Sequence, residues 1–304
     1  MSDAGKASVT PYLTFDMRLF IMAPLLLLVF SLMSQSLLCA ALAEIGGRRS
    51  VGSVSDIIQR VNGHLGRQKR GPVITDDDIA QSRRRNAVPC TSRGCTWSKG
   101  SNGNVVIPVF ISNSYSWAER RVIIRSLLTF HRTTCIRFVW WRGQSDYIYF
   151  FPGSGCWSYL GRQGGLQLIS LNRFGCVYLP IVQHEVLHAL GFHHEHVRSD
   201  RDDYVRIIFR NIQEDKKRNF RRVNTNNLNT PYDYNSVMHY STYAFSISPG
   251  ELQTITARNS NVEFGQATEM SRKDIRRVNR LYQCSEFKIK TKLSEHLADI
   301  TCNL

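Results

Sequence analysis

The sequence predicts an α+β fold, and three observations predict it. Four runs of β-branched and aromatic residues bounded by turn formers follow residue 86. Helical spacing falls between the first two of them. An apolar, histidine-bearing helix then gives way to a loop-rich second half. In order, NVVIPVFIS (104–112) reads as a strand, and residues 117–131 place Ile123, Ile124, Leu127, Leu128 and His131 at helical spacing. IRFVWW (136–141), YIYFF (147–151) and LQLISL (166–171) read as further strands. Ile181, Val182, Val186, Leu187 and Leu190 form a helix suited to a core, and Gly191 is the residue best able to end it at positive φ. Near the end Ser271 opens an S-x-x-D cap, after which Ile275, Val278, Leu281 and Tyr282 repeat as one helical face up to Cys284. There is no internal repeat and no low-complexity tract.

At 304 residues the chain can hold one large domain or two small ones. Residues 1–43 read as a secretory signal: LFIMAPLLLLVFSL (19–32) follows Arg18 and precedes the small-x-small site Ala41, Leu42, Ala43. An uncut membrane anchor is the alternative, and Met17 is a second candidate start. Residues 44–85 carry the basic site RQKR (67–70), the acidic run TDDD (75–78) and RRR (83–85), with few residues fit for a core. They read as a propeptide or a solvated linker. Cuts after Arg70 or Arg85 are both available to proteases that recognise basic residues. The globular pattern covers 86–284, and 285–304 form a short polar tail.

Of eight cysteines, Cys39 falls in the signal; the others read as disulfides of an extracellular protein, with Cys302 the odd one. No N-x-S/T sequon is present. The net charge of +15, of which residues 86–284 hold 25 Lys/Arg against 14 Asp/Glu, comes without a zinc-finger, RNA-binding or basic-helix signature. It excludes nucleic acid as the expected partner and suits acidic extracellular surfaces.

QHEVLHALGFHHEHVRSDRD (183–202) places five histidines within thirteen residues. His184 and His188, four apart, lie one turn apart on one helix face, so both imidazoles reach one ion. After the Gly191 turn His194 folds back to it. Three imidazoles leave a coordination position open, as in catalytic zinc sites, and Glu185 beside His184 faces it as a general base. Zinc lowers the pKa of bound water, and this carboxylate takes the proton and passes it to the leaving amine. The spacing H-E-x-x-H-x-x-G-x-x-H, with a methionine turn at SVMHY (236–240), is the metzincin signature. His193 and His196, off the ligand spacing, read as solvent-facing or supporting residues, and His239 as structural.

The chain resembles the astacin family through HEHVRSDRDDYV (194–205), TPYDYNSVMHY (230–240), CIRF (135–138) and FGQATEMSRKDIRRVNRLYQC (264–284). Within it the chain resembles the six-cysteine hatching enzymes and nephrosin-like proteases, since Cys90-x4-Cys95 follows NAVPC. The resemblance implies a two-lobed metzincin fold with one zinc ion at the floor of the cleft. It implies a secreted endopeptidase held latent by its propeptide, with His184, His188 and His194 as ligands and Glu185 as base. Tyr240 would be a displaceable ligand that turns to the oxyanion, and Met238 the floor beneath the metal. By position the disulfides would be Cys135–Cys284, Cys156–Cys176 and Cys90–Cys95. Glu195 resembles the family glutamate that meets the mature N-terminus. Latency in the family uses an aspartate in a Gly-Asp context; here TDDDIA lacks the glycine, Asp78 fits best, and Asp76 and Asp77 are rivals.

The expected partners are protein substrates of an extracellular coat or matrix and an activating protease cutting after Arg85, without stable membrane association. Egg-envelope digestion and a nephrosin-like tissue role both fit. A non-catalytic binding protein on the same fold is the reading from another class, and intact Glu185 with three ligands speaks against it.

Overall fold

The computed structural model describes residues 53–63, 65, 72–81, 95–259 and 262–285. All belong to one compact unit, Gly52–Leu304; the other unit, Met1–Val51, which includes the apolar run 19–32, lies outside them. Among the described residues no helix is long and apolar enough to cross a membrane.

A seven-stranded sheet forms the first half. Its strands are β1 (Ile74–Thr75), β2 (Ile79–Ala80), β3 (Val105–Ile111), β4 (Ile136–Trp140), β5 (Tyr147–Phe151), β6 (Cys156–Tyr159) and β7 (Leu166–Leu171), in the order β1-β2-β6-β7-β5-β3-β4. The central pairings of β3 with β4 and β5, and of β5 with β7, are parallel, whereas β6 runs antiparallel to β7. Side chains alternate across a strand, so Val105, Ile107, Val109 and Ile111 enter the core while Val106 and Phe110 face outward.

Helix α2 (Trp117–Thr133) starts at a reciprocal cap: Ser116 Oγ accepts from Glu119 N and Ser116 N donates to Glu119 Oε2. It buries Ile123, Leu127 and Phe130. Leu128, expected on that face, is exposed because the stripe 123–127–130 points a different way round the helix. Helix α3 (Leu179–Ala189) carries Pro180 in its first turn and is buried all round from Ile181 to Ala189. Gly191 then turns the chain at φ +106°.

The second half is built from 3-10 turns, a small antiparallel pair of β8 (Val205–Ile207) with β9 (Ile255–Ala257), and α4 (Arg272–Leu281), capped by Ser271. A separate cluster around Phe220, Tyr232, Tyr240 and Phe245 forms its core. Cys135–Cys284 joins the start of β4 to the end of α4, and Cys156–Cys176 joins β6 to the loop before α3. Cys90 and Cys302 lie outside the described residues, and so does the Cys90–Cys95 pairing.

A further expectation fails. Within 44–85, helix α1 (Val54–Asn62) buries Val54, Ile57 and Ile58 in the main core. Their i, i+3, i+4 spacing makes one apolar stripe, which the flanking charge runs obscure in the sequence.

Candidate metal centre and active site

Two imidazoles project from one face of α3. His184 Nδ1 donates to Val237 O at 2.9 Å and His188 Nδ1 to Phe192 O at 2.7 Å. This fixes the tautomer, so each Nε2 carries a lone pair directed inward. The two Nε2 atoms are 3.1 Å apart. The Gly191 turn returns His194 to the same point, its ring 4.8 Å from His188 and 5.3 Å from His184.

The fourth member comes from the N-terminal segment. β1 and β2 form a hairpin whose tip is Asp76, Asp77 and Asp78, with Asp76 at φ 49° and Asp77 at φ 80°. Aspartate tolerates this left-handed region, so the pair turns the chain without the glycine that the resemblance leads one to expect. The tip directs Asp78 into the histidines. Its Oδ2 is 2.9 Å from His184 Nε2, and its Oδ1 is 3.2 Å from His188 Nε2 and 3.1 Å from His194 Nε2. All four candidate ligand atoms lie within 4.8 Å of one another, and all four residues are buried.

Inward lone pairs on at least two imidazoles beside a carboxylate repel one another unless a positive charge lies among them. Asp78 Oδ1, although at ion-pair distance, makes no hydrogen bond. Burial, the largest influence, holds His188 down to about 4, so it is the neutral base that metal ligation needs. Three imidazole nitrogens and one carboxylate oxygen form a donor set suited to zinc rather than to an all-oxygen cation such as calcium. The residues fit the ion.

Glu185 is fully buried, and both its carboxylate oxygens lack hydrogen-bond partners. Burial first, then Asp78 and Asp77, push its pKa well above the ordinary carboxylate value. Tyr240 stacks on His196 with centroids 3.8 Å apart, and its hydroxyl donates to Asp76 O at 3.1 Å. Burial, then Asp77 and Asp78, raise the phenol well above its usual value, so it stays a donor.

Met238 is buried in the turn below the histidines, and that turn is pinned by α4: Asp274 accepts from Ser236 Oγ at 2.6 Å and from Val237 N at 3.0 Å. Glu195 is held by Arg277, by Arg198 and by Asp233 N. His196 is buried rather than solvent-facing, with Nε2 donating to Asn219 O at 3.0 Å; His193 is half-buried. His239 bridges Tyr232 and the backbone of Tyr240. Asp274, Arg277 and Asn219 were not legible as partners of the site, since each reaches it from far along the chain.

The model of the Astacin peptidase family matches residues 95–283. High choriolytic enzyme 1 of Oryzias latipes is 49% identical over 212 residues, covering 70% of this chain and 78% of that protein. Low choriolytic enzyme of the same fish is 42% identical over 234 residues, covering 76% and 84%. The solved structure of high choriolytic enzyme 1, a hatching enzyme zinc-protease from medaka, superposes with a TM-score of 0.63 at 52% identity, over 66% of this chain and 100% of that one. The matched span contains α3, the Gly191 turn and the methionine turn together, and the chain belongs to the astacin family of peptidases as a zinc metalloendopeptidase.

Proposed function

We propose that the chain is secreted as a latent precursor and, once residues 44–85 are removed, hydrolyses proteins of an extracellular coat. The observation that carries this reading is the convergence of three imidazoles on one point beside Glu185, a buried carboxylate with no hydrogen-bond partner. His184, His188 and His194 would hold zinc, which when bound acts as a Lewis acid and lowers the pKa of water. Glu185 takes the proton of the attacking water and delivers it to the leaving amine. Tyr240 donates to the developing oxyanion; its present acceptor, the Asp76 carbonyl, is a group of the same kind.

Asp78 is the latency residue in this reading: its carboxylate holds the position that substrate and water need. β2 pairs with β6 at Ile79 and Ala80. When it leaves, β6 becomes a sheet edge to which an extended peptide can add by backbone hydrogen bonds. The likeness to choriolytic and hatching enzymes supports an egg envelope as the substrate, and the net charge of +11 over 86–284 supports an acidic one.

The test compares the processed form with Glu185→Ala on a denatured protein substrate, with the metal content of both. Zinc in each and activity only in the parent is the expected result. Zinc in both with cleavage by both removes Glu185 as the base. Zinc in both with cleavage by neither favours a binding protein.

A further inference from the structure

We propose that the surface under α1 is a second docking site on the catalytic unit, shaped for an amphipathic helix and separate from the histidine cluster. The N-terminal segment then inhibits through two anchors rather than one. The inference rests on the reading that this segment is released on activation.

The helix anchor is specific. Val54, Ile57 and Ile58 enter the main core, and every turn of α1 makes a polar contact with the catalytic unit. Ser55 Oγ accepts from Ser241 N at 2.9 Å, and Gln59 Oε1 accepts from Phe245 N at 2.9 Å. Asn62 closes the helix as a strand residue would: its Oδ1 accepts from Cys156 N at 2.8 Å and its Nδ2 donates to Cys156 O at 2.7 Å. The receiving surface lies close under the helix at two glycines, whose positive φ of 78° and 138° independently favours that residue. A Cβ on Gly155 would come within 2.4 Å of Asn62 Oδ1, and one on Gly175 within 2.5 Å of Val61 Cγ2. None of these contacts involves His184, His188 or His194.

The hairpin anchor is smaller. It consists of the Asp78 carboxylate at the histidines, the bond from Tyr240 to Asp76 O and the pairing of two residues with β6. Asn62 also donates to Asp77 O at 2.9 Å, which couples the anchors directly.

Two anchors on one short tether bind as a unit. With an effective concentration of about 1 mM and a helix anchor of about 10 µM affinity, the hairpin is held about 100-fold tighter than alone. A cut after Arg85 removes only the covalent link to the catalytic part and leaves both anchors joined. The basic stretch 67–70 lies between them in the sequence, so a cut there would separate them.

The experiment uses enzyme activated by processing the folded full chain and then freed of its segment. Fluorescently labelled synthetic peptides 53–81, 72–81 and 53–65 are titrated by anisotropy, with inhibition of a small peptide substrate as a second readout. We expect 53–81 to bind about 100-fold tighter than 72–81, and 53–65 to leave bound 72–81 in place. Ile58→Asp within 53–81 should bring its affinity to within about threefold of 72–81. Equal affinities for 53–81 and 72–81, no effect of Ile58→Asp, or displacement of 72–81 by 53–65 would each overturn the second site. Anisotropy needs no turnover, so an inactive enzyme that still shows the affinity ladder would refute the protease reading and leave this one standing.

Discussion

Asp274→Ala should loosen the histidine cluster without touching it. The Asp274 carboxylate accepts from Ser236 Oγ, from Val237 N and from Ser271 N, the last two at 3.0 Å. Truncation orphans three donors, and the two buried ones, at about 1–3 kcal/mol each, set a loss of about 2–6 kcal/mol of stability. Asp274→Asn separates charge from geometry. With its carbonyl at the Oδ2 position it keeps Val237 and Ser271, and its amide faces Ser236 Oγ, which already accepts from Met238 N at 3.1 Å. Only the Ser236 hydroxyl proton is displaced, and the cost is about 1–2 kcal/mol. Val237 O is the acceptor that orients His184, so a slack turn should also weaken zinc binding about 10- to 100-fold in the alanine variant. The assay is urea unfolding at fixed free zinc, because a ligand bound to the native state adds its own stabilisation, together with zinc competition by a chromogenic chelator. An alanine variant within about 1 kcal/mol of the parent, or a zinc affinity unchanged in it, would refute the view that α4 sets the turn.

Other outcomes are expected. Asp78→Ala should give measurable peptide hydrolysis by the unprocessed chain; a variant as latent as the parent would take the role from Asp78 and leave it to Asp76, Asp77 or the remaining contacts of the segment. Arg277→Leu should cost about 3–5 kcal/mol in unfolding free energy by leaving the buried Glu195 short of a partner, and Glu195→Leu with Arg277→Leu should restore much of it. A double variant worse than the single would contradict this. Glu119, held down to about 2 chiefly by its hydrogen bond with Arg173, contributes stability that is full above the ordinary carboxylate pKa and fades as pH falls through about 2. Glu119→Gln should therefore lose at most about 1 kcal/mol at neutral pH and match the parent near pH 2, as read from thermal unfolding. A difference that persists there would place the effect in the cap rather than the charge.

The parts legible in the sequence are those governed by local rules. α2 and α4 announce themselves through Ser116 with Glu119 and Ser271 with Asp274, and α3 through histidines four apart followed by a glycine. β3, β4, β5 and β7 read correctly because runs of β-branched and aromatic residues are a property of neighbours, whereas β6, β8 and β9, three or four residues long, carry no such run. What was not legible depends on distant partners. His196 looks free until Tyr240 and Asn219 enclose it, and Glu195 is defined by Arg277, 82 residues on. β2 is only two residues long and gains its meaning from pairing with β6. α1 is a different case: Val54, Ile57, Ile58 and Val61 carry a full helical stripe, but the charged stretches on either side give the region the composition of a solvated linker.

The pairing of β2 with β6 also bears on how the protein can be kept at high concentration. With residues 72–81 in place the sheet ends in strands two residues long, a border too short to recruit another chain. The proposed removal of this segment would bare the longer β6, whose open backbone could pair with its counterpart on a second molecule as readily as with a substrate. The cation excess of the catalytic part opposes such encounters at low ionic strength and does so less as salt screens it. Concentrated stock is therefore best held uncleaved, and activated enzyme in salt should lose soluble protein faster than precursor.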